Sequence, residues 1–155
     1  MKRTYTIFAD YHQFYLWDKK VEPDAPADYT DEDIQNRIKA APNVVVIQPE
    51  RNMEVPVEVE IFEGAPSLEL ALWDHIAEAS LELPSGILEI HECTGGPIDE
   101  IQFPPGSYRV RACFGKLDEL SEDGLDGNDH YRLEIWPEPF APVKVLKQFG
   151  SDSAG

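Results

Sequence analysis

Glu89, His91 and Cys93 stand at i, i+2 and i+4, a spacing that puts all three on one face of an extended strand. A carboxylate that orients an imidazole beside a thiol is the arrangement that activates a cysteine nucleophile. Same-face neighbours on a strand lie about 6.6 Å apart at their α-carbons, and no motif for an oxyanion hole accompanies them. The bland reading is an exposed strand face with an incidental thiol. His91 and Cys93 supply only two soft ligands, whereas zinc takes three or four. The run 123–129 (Asp-Gly-Leu-Asp-Gly-Asn-Asp) has the composition of a calcium loop. It lacks the alternating ligand order and closing glutamate of an EF-hand, and the same residues fill ordinary surface turns. The sequence has no Gly-rich phosphate loop, no G-x-S-x-G, no H-E-x-x-H and no C-x-x-C. The expectation is therefore a non-enzymatic chain with no catalytic residues, cofactor or metal.

A different chemistry is written in the charges. Between Arg51 and Arg109 lie 57 residues without Lys or Arg that carry twelve carboxylates. Two carboxylates about 7 Å apart in water repel by roughly 0.6 kcal/mol before screening. A dozen on one surface would oppose folding by an amount comparable with a typical stability of about 5–15 kcal/mol. Either the charges are dispersed or matched, or they serve a cationic partner.

The whole chain of 155 residues has a net charge of −17. Nucleic-acid binding is disfavoured because phosphate contacts need Lys and Arg, and an anionic membrane surface is disfavoured equally. The partners such a field attracts are basic proteins, metal cations or cationic small molecules. The N-terminal segment has its apolar residues interrupted by Asp10, His12 and Gln13, unlike a signal peptide. No run approaches the roughly 20 apolar residues of a membrane-spanning helix. With only Cys93 and Cys113, a disulfide framework is excluded, and a reduced, cytoplasmic setting fits.

The elements that must position these groups follow from periodicity. Two-residue alternation predicts strands over 3–9, 12–17, 54–62, 87–92, 107–114 and 129–136, and the β-branched apolar run 43–47 reads as a buried strand. In 54–62, Val55, Val57, Val59 and Ile61 face one way and Glu54, Glu58 and Glu60 the other. One short helix is expected over about 31–41, capped by Thr30 with Asp33 at the third position and stopped by Pro42. Residues 67–83 fit either a helical stripe or, over 75–83, a strand that buries Ala77, Ala79, Leu81 and Leu83 and exposes Glu78, Ser80 and Glu82. The turn Pro84-Ser85-Gly86 favours the strand. Loops are expected at 21–29 and, rich in acids, at 115–128. The aromatic residues Tyr5, Phe8, Tyr11, Phe14, Tyr15 and Trp17 read first as core and second as the apolar centre of an interface. The sum is a mainly β protein, an antiparallel β-sandwich forming a single domain over 3–146, with a disordered tail at 147–155.

Asp10-Tyr11-His12-Gln13-Phe14, Thr30-Asp31-Glu32-Asp33-Ile34, Arg51-Asn52 and Phe103-Pro104-Pro105-Gly106-Ser107-Tyr108 occur in this order. In order and spacing they resemble the competence protein ComJ family, inhibitors of a DNA-uptake nuclease. The resemblance runs from about Tyr5 to Trp136, and the chain departs from it in the acidic segment 118–129 and in its tail. It implies a small inhibitor that occupies the basic DNA-binding face of a nuclease. A rigid carboxylate array could compete with nucleic acid there, its oxygens standing in for phosphate. The expected partner is thus a basic protein such as a nuclease, bound without direct contact to nucleic acid or membrane. Its expected contacts are Glu58, Glu60, Glu78 and Glu82, with Asp118, Glu119, Glu122, Asp123 and Asp126 as a second patch. The alternative is a small β-sandwich hydrolase or ligand-binding protein with a site near His91 and Cys93. A third arrangement sets Arg109, Arg111 and Arg132 opposite the strand glutamates, which would neutralise the face.

Overall fold

The computed structural model describes residues 1–150, and all structural statements concern these. Eleven strands form two sheets that share one core. The first sheet contains β1 (Lys2–Phe8), β5 (Glu54–Ile61), β6 (His75–Leu83), β9 (Gly106–Gly115), β10 (His130–Pro137) and β11 (Lys144–Lys147), in the order β1-β5-β10-β9-β6-β11. The second contains β2 (Phe14–Asp18), β3 (Ile38–Ala41), β4 (Val44–Ile47), β7 (Ile87–Glu92) and β8 (Gly96–Gln102), in the order β3-β4-β2-β7-β8. The valines of β5, Ala77, Ala79, Leu81 and Leu83 of β6, and Leu133 and Ile135 of β10 pack against Phe14, Leu16, Val45, Ile47, Leu88 and Ile90 of the other sheet. Inner faces read from alternation are therefore correct, and the mainly β two-sheet architecture is as expected.

Strand β8 is absent from the sequence expectation, and three further features differ from it. The sandwich is not antiparallel throughout, because β10 runs parallel to β5; alternation looks the same in either direction. The helix α1 is shorter than 31–41, spanning Asp31–Asn36. Its start is as expected, since Thr30 and Asp33 exchange side chain–backbone bonds of 3.1 and 3.0 Å in a capping box. It stops because Arg37 turns left-handed (φ 60°). Ile38 is then buried and pairs with Ile47 as the chain reverses through Pro42 and Asn43. A β ladder with a buried isoleucine outweighs the weak propensity of a marginal helix.

The tail is the third correction. Lys147 closes strand β11 on the edge of β6, and Phe149 packs against the core. The Phe149 N–H donates to His75 Nδ1 at 3.1 Å, and the Arg37 guanidinium lies over the Phe149 ring at 5.3 Å. The expected disorder thus does not begin at 147, and residues 151–155 lie outside the described residues.

Candidate partner-binding surface

The strand glutamates are where alternation placed them, on the outer face of the first sheet, but they are not free. Strand order sets opposite charges across from each other: Glu78 faces Arg111, Arg111 faces Glu134, and Arg132 faces Glu58. Glu78 accepts from Arg109 Nε at 3.2 Å and from Arg111 Nε at 2.9 Å, and Arg111 reaches Glu134 at 2.9 Å. Arg132 binds Glu58, Glu60 and Glu134 together, and its hydrogen bond to Glu60 holds that carboxyl below its usual range. Lys2 adds a further charge beside Glu58 at 3.5 Å.

Glu78 and Ser80 are buried rather than exposed. Two proline-containing segments lie over them. Arg109 donates to the Ala141 and Pro142 carbonyls at 2.8 and 2.9 Å, and Arg111 donates to the Pro66 carbonyl at 3.1 Å. The Arg111 guanidinium also stacks 4.8 Å from the Trp136 ring centroid. Glu82 is half-buried and accepts from the Ser107 hydroxyl. Glu58, Glu60 and Glu78 therefore sit in a matched ion network, the arrangement in which arginines neutralise the face, whereas Glu82 makes no ion pair among the described residues.

The alternative site at Glu89, His91 and Cys93 does not assemble either. Glu89 accepts from the Trp17 indole at 3.0 Å. The His91 ring packs on Trp17 at 4.6 Å, and its Nδ1 lies 2.6 Å from the Glu92 carbonyl. Cys93 Sγ instead meets the Tyr15 hydroxyl at 3.3 Å. The N-terminal aromatic run is split between these roles: Phe14 enters the core, Tyr15 and Trp17 stack on the outer face of the second sheet, and Tyr11 is 68% exposed. Among the described residues no three His, Cys, Asp or Glu side chains are grouped to hold a metal ion.

The loop carboxylates have a different environment. Asp118, Glu119, Glu122, Asp123 and Asp126 are all exposed, and none is ion-paired among the described residues. Their loop is nonetheless ordered as a small hairpin: Leu120 bridges Gly127, the Ser121 N–H donates to the Asp126 carbonyl at 2.8 Å, and the Asn128 N–H donates to the Glu119 carbonyl at 3.0 Å. Asp123 accepts from the Ser121 hydroxyl at 2.6 Å and the Leu125 N–H at 3.0 Å, bonds that pull its carboxyl below the usual range.

The hairpin is tied to the body by a buried clasp that sequence reasoning missed. Arg51 donates to Asp129 at 2.7 Å and to the Leu125 carbonyl at 3.1 Å, and Asp129 also accepts from the Tyr131 hydroxyl. The Tyr131 oxygen in turn accepts from the Glu50 N–H at 3.0 Å. A separation of 78 residues between Arg51 and Asp129 leaves no local signal to find. Next in sequence to Arg51, Asn52 accepts from the Tyr11 N–H at 2.8 Å. The clasp thus joins the acidic hairpin to the corner that carries Tyr11, His12 and α1, where Asp10–Phe14, Thr30–Ile34 and Arg51-Asn52 converge.

A two-sheet sandwich with one short helix and a clasped acidic hairpin is the class this molecule defines. No family model and no curated protein matches the chain. Two solved structures share its fold. One is ComJ, inhibitor of the DNA degrading activity of NucA, from Bacillus subtilis, with a TM-score of 0.67, 17% identity, and coverage of 89% of this chain and 96% of that one. The other is the product of crocagin biosynthetic gene J, with a TM-score of 0.56, 20% identity and the same coverage. The fold is thus ComJ-like, in keeping with the resemblance at Asp10–Phe14 and Thr30–Ile34. No helix among the described residues is long and apolar enough to cross a membrane.

Proposed function

We propose that this chain is a non-enzymatic inhibitor of a basic protein, a nuclease being the class that the ComJ fold suggests, and that it engages its partner through the hairpin 118–126. The observation that carries this reading is the hairpin itself: five solvent-facing carboxylates without internal cations, held by backbone bonds and the Arg51–Asp129 clasp. Every arginine in the chain is taken by a carboxylate within the fold, and none of these pairs involves a hairpin carboxylate: Arg51 meets 118–126 only at the Leu125 carbonyl. A cleft lined with Lys and Arg is complementary to such a surface, and long-range attraction accelerates the encounter. Pre-ordering the carboxylates lowers the entropy lost on association. Contact there would block nucleic acid from the same basic cleft. Glu58, Glu60 and Glu78 act in this reading as the stiff support of the sheet rather than as contacts.

Immobilised protein incubated with lysate of its own cells provides the test, with a variant carrying D118N, E119Q, E122Q, D123N and D126N beside it. The expected result is a retained basic protein that elutes as salt rises, is lost with the variant, and has its nuclease activity suppressed by added chain. Retained proteins that are not basic, or retention indifferent to salt, would remove the basis of the reading.

A further inference from the structure

Beside the hairpin, Tyr11, His12, Gln13, Tyr29, Ile34 and Gln48 line a surface groove of about 280 Å³, which continues past Ile34 and Gln48 into a second hollow of about 290 Å³. We propose that this groove docks a basic extended segment of the protein partner, with an arginine or lysine side chain laid across Tyr11 and Ile34. The inference rests on the partner being basic and adds a second, apolar contact that anchors it.

Tyr11 and His12 both adopt left-handed backbone conformations (φ 58° each), a geometry that costs a non-glycine residue about 1–2 kcal/mol. The turn is held by the Tyr11 N–H bond to Asn52 and by the His12 N–H bond to the Ala9 carbonyl at 2.9 Å. Its effect is to turn a tyrosine outward two residues after the buried Ala9 and three before the buried Phe14. Ile34 is 56% exposed on the free face of α1. Tyrosine exposed on a fixed backbone beside an exposed aliphatic side chain is the composition of a binding anchor.

The wall of the groove is pre-ordered. Gln13 Oε1 accepts from the Tyr29 hydroxyl at 3.1 Å and from the Tyr15 hydroxyl at 2.9 Å. Lys39 lies over the Tyr29 ring at 5.1 Å while bonded to Asp33 at 2.8 Å.

Charge selects the occupant. Asp28 precedes Tyr29, and Asp31 and Glu32 precede Ile34. All three are exposed and make no ion pair among the described residues, whereas the nearby cations Arg37 and Lys39 are held by Glu50 and Asp33. A guanidinium or ammonium on the Tyr11 ring gains a cation–π contact, its methylene stem covers Ile34, and the three unpaired carboxylates stand one to three residues from the lining side chains Tyr29 and Ile34. A second copy of this chain would bring the same acids against them, and a phosphate would meet carboxylates.

Titration of 15N-labelled protein with the capped peptide Ac-Leu-Arg-Gly-Arg-Leu-NH2, its Arg→Gln counterpart and its Arg→Glu counterpart tests the docking directly, in low and high salt. The expected shifts fall on 11–13, 29–34 and 48, only with the arginine peptide, and weaken as salt rises. Tyr11→Ala should weaken binding about tenfold, while Glu63→Gln, exposed and remote, leaves it unchanged. Shifts absent, shifts confined to 118–126, equal response to the glutamate peptide, or concentration-dependent shifts of the protein alone would each overturn the proposal. Because the readout is a defined peptide, its failure is separate from failure of the hairpin reading, which is decided by retention from lysate.

Discussion

Glu78 shows how a residue chosen for display can prove to be structural. Its carboxylate bridges two arginines that are themselves almost fully buried. Removing one partner of a buried ion network strands the others and typically costs about 3–5 kcal/mol. Glu78→Gln should therefore lower unfolding stability by about 3 kcal/mol, whereas amide replacement at Asp118 or Glu122 should change it by less than about 0.5 kcal/mol; urea unfolding of each variant checks the contrast. His75 offers a second measurable consequence. It is fully buried, and burial, with Arg37's charge, pushes its pKa down from 6.5 to about 4 although the Asn36 carbonyl favours the charged form. Nδ1 accepts from Phe149, so the neutral Nε2–H form is the one the fold requires. Because the folded value lies below the unfolded one, its contribution is complete above pH 6.5 and is lost as pH falls toward 4, amounting to about 3 kcal/mol. Wild-type stability should decline from pH 6.5 to 5, above the carboxylate range, and a His75→Gln variant should show a flatter profile there.

Elements owe their boundaries to what they pack against. Residues 67–83 fit a helical stripe and 75–83 fit a strand as well, and pairing of β6 with β9 along its whole length decides for the strand. Its outer face is buried because segment 137–143 folds back over it, a contact that no local pattern announces. The acidic hairpin likewise depends on Arg51, whose loop is remote in sequence. Arg51→Met should leave the sheets intact but free the hairpin: amide exchange at Ser121, Leu125 and Asn128 should rise at least about tenfold, with strands β9 and β10 still protected. Unchanged exchange there would show that the hairpin orders itself without the clasp.

Across the whole molecule the balance of charge has a salt signature. A net charge of −17 repels itself most in dilute buffer, and screening relieves that repulsion within a Debye length of about 8–10 Å at physiological salt. Added salt should raise the thermal midpoint while weakening retention of a basic partner. A midpoint that falls with salt would mean that the surface ion pairs dominate instead.

Legible in the chain before folding were the inner faces of the strands, the Thr30–Asp33 cap and the acidic character of 118–126. Burial of every second residue, a capping box and a run of like charges are local facts, written into neighbouring positions. Which carboxylates would be matched was not legible. Glu78 meets Arg109 and Arg111 across 31 and 33 residues, and Glu58 meets Arg132 across 74. Those distances close only when strand order and register are set by the pooled burial of both sheets, and strand alternation is blind to the identity of the neighbouring strand. The same closure leaves the hairpin acids without cations and turns Tyr11 to solvent.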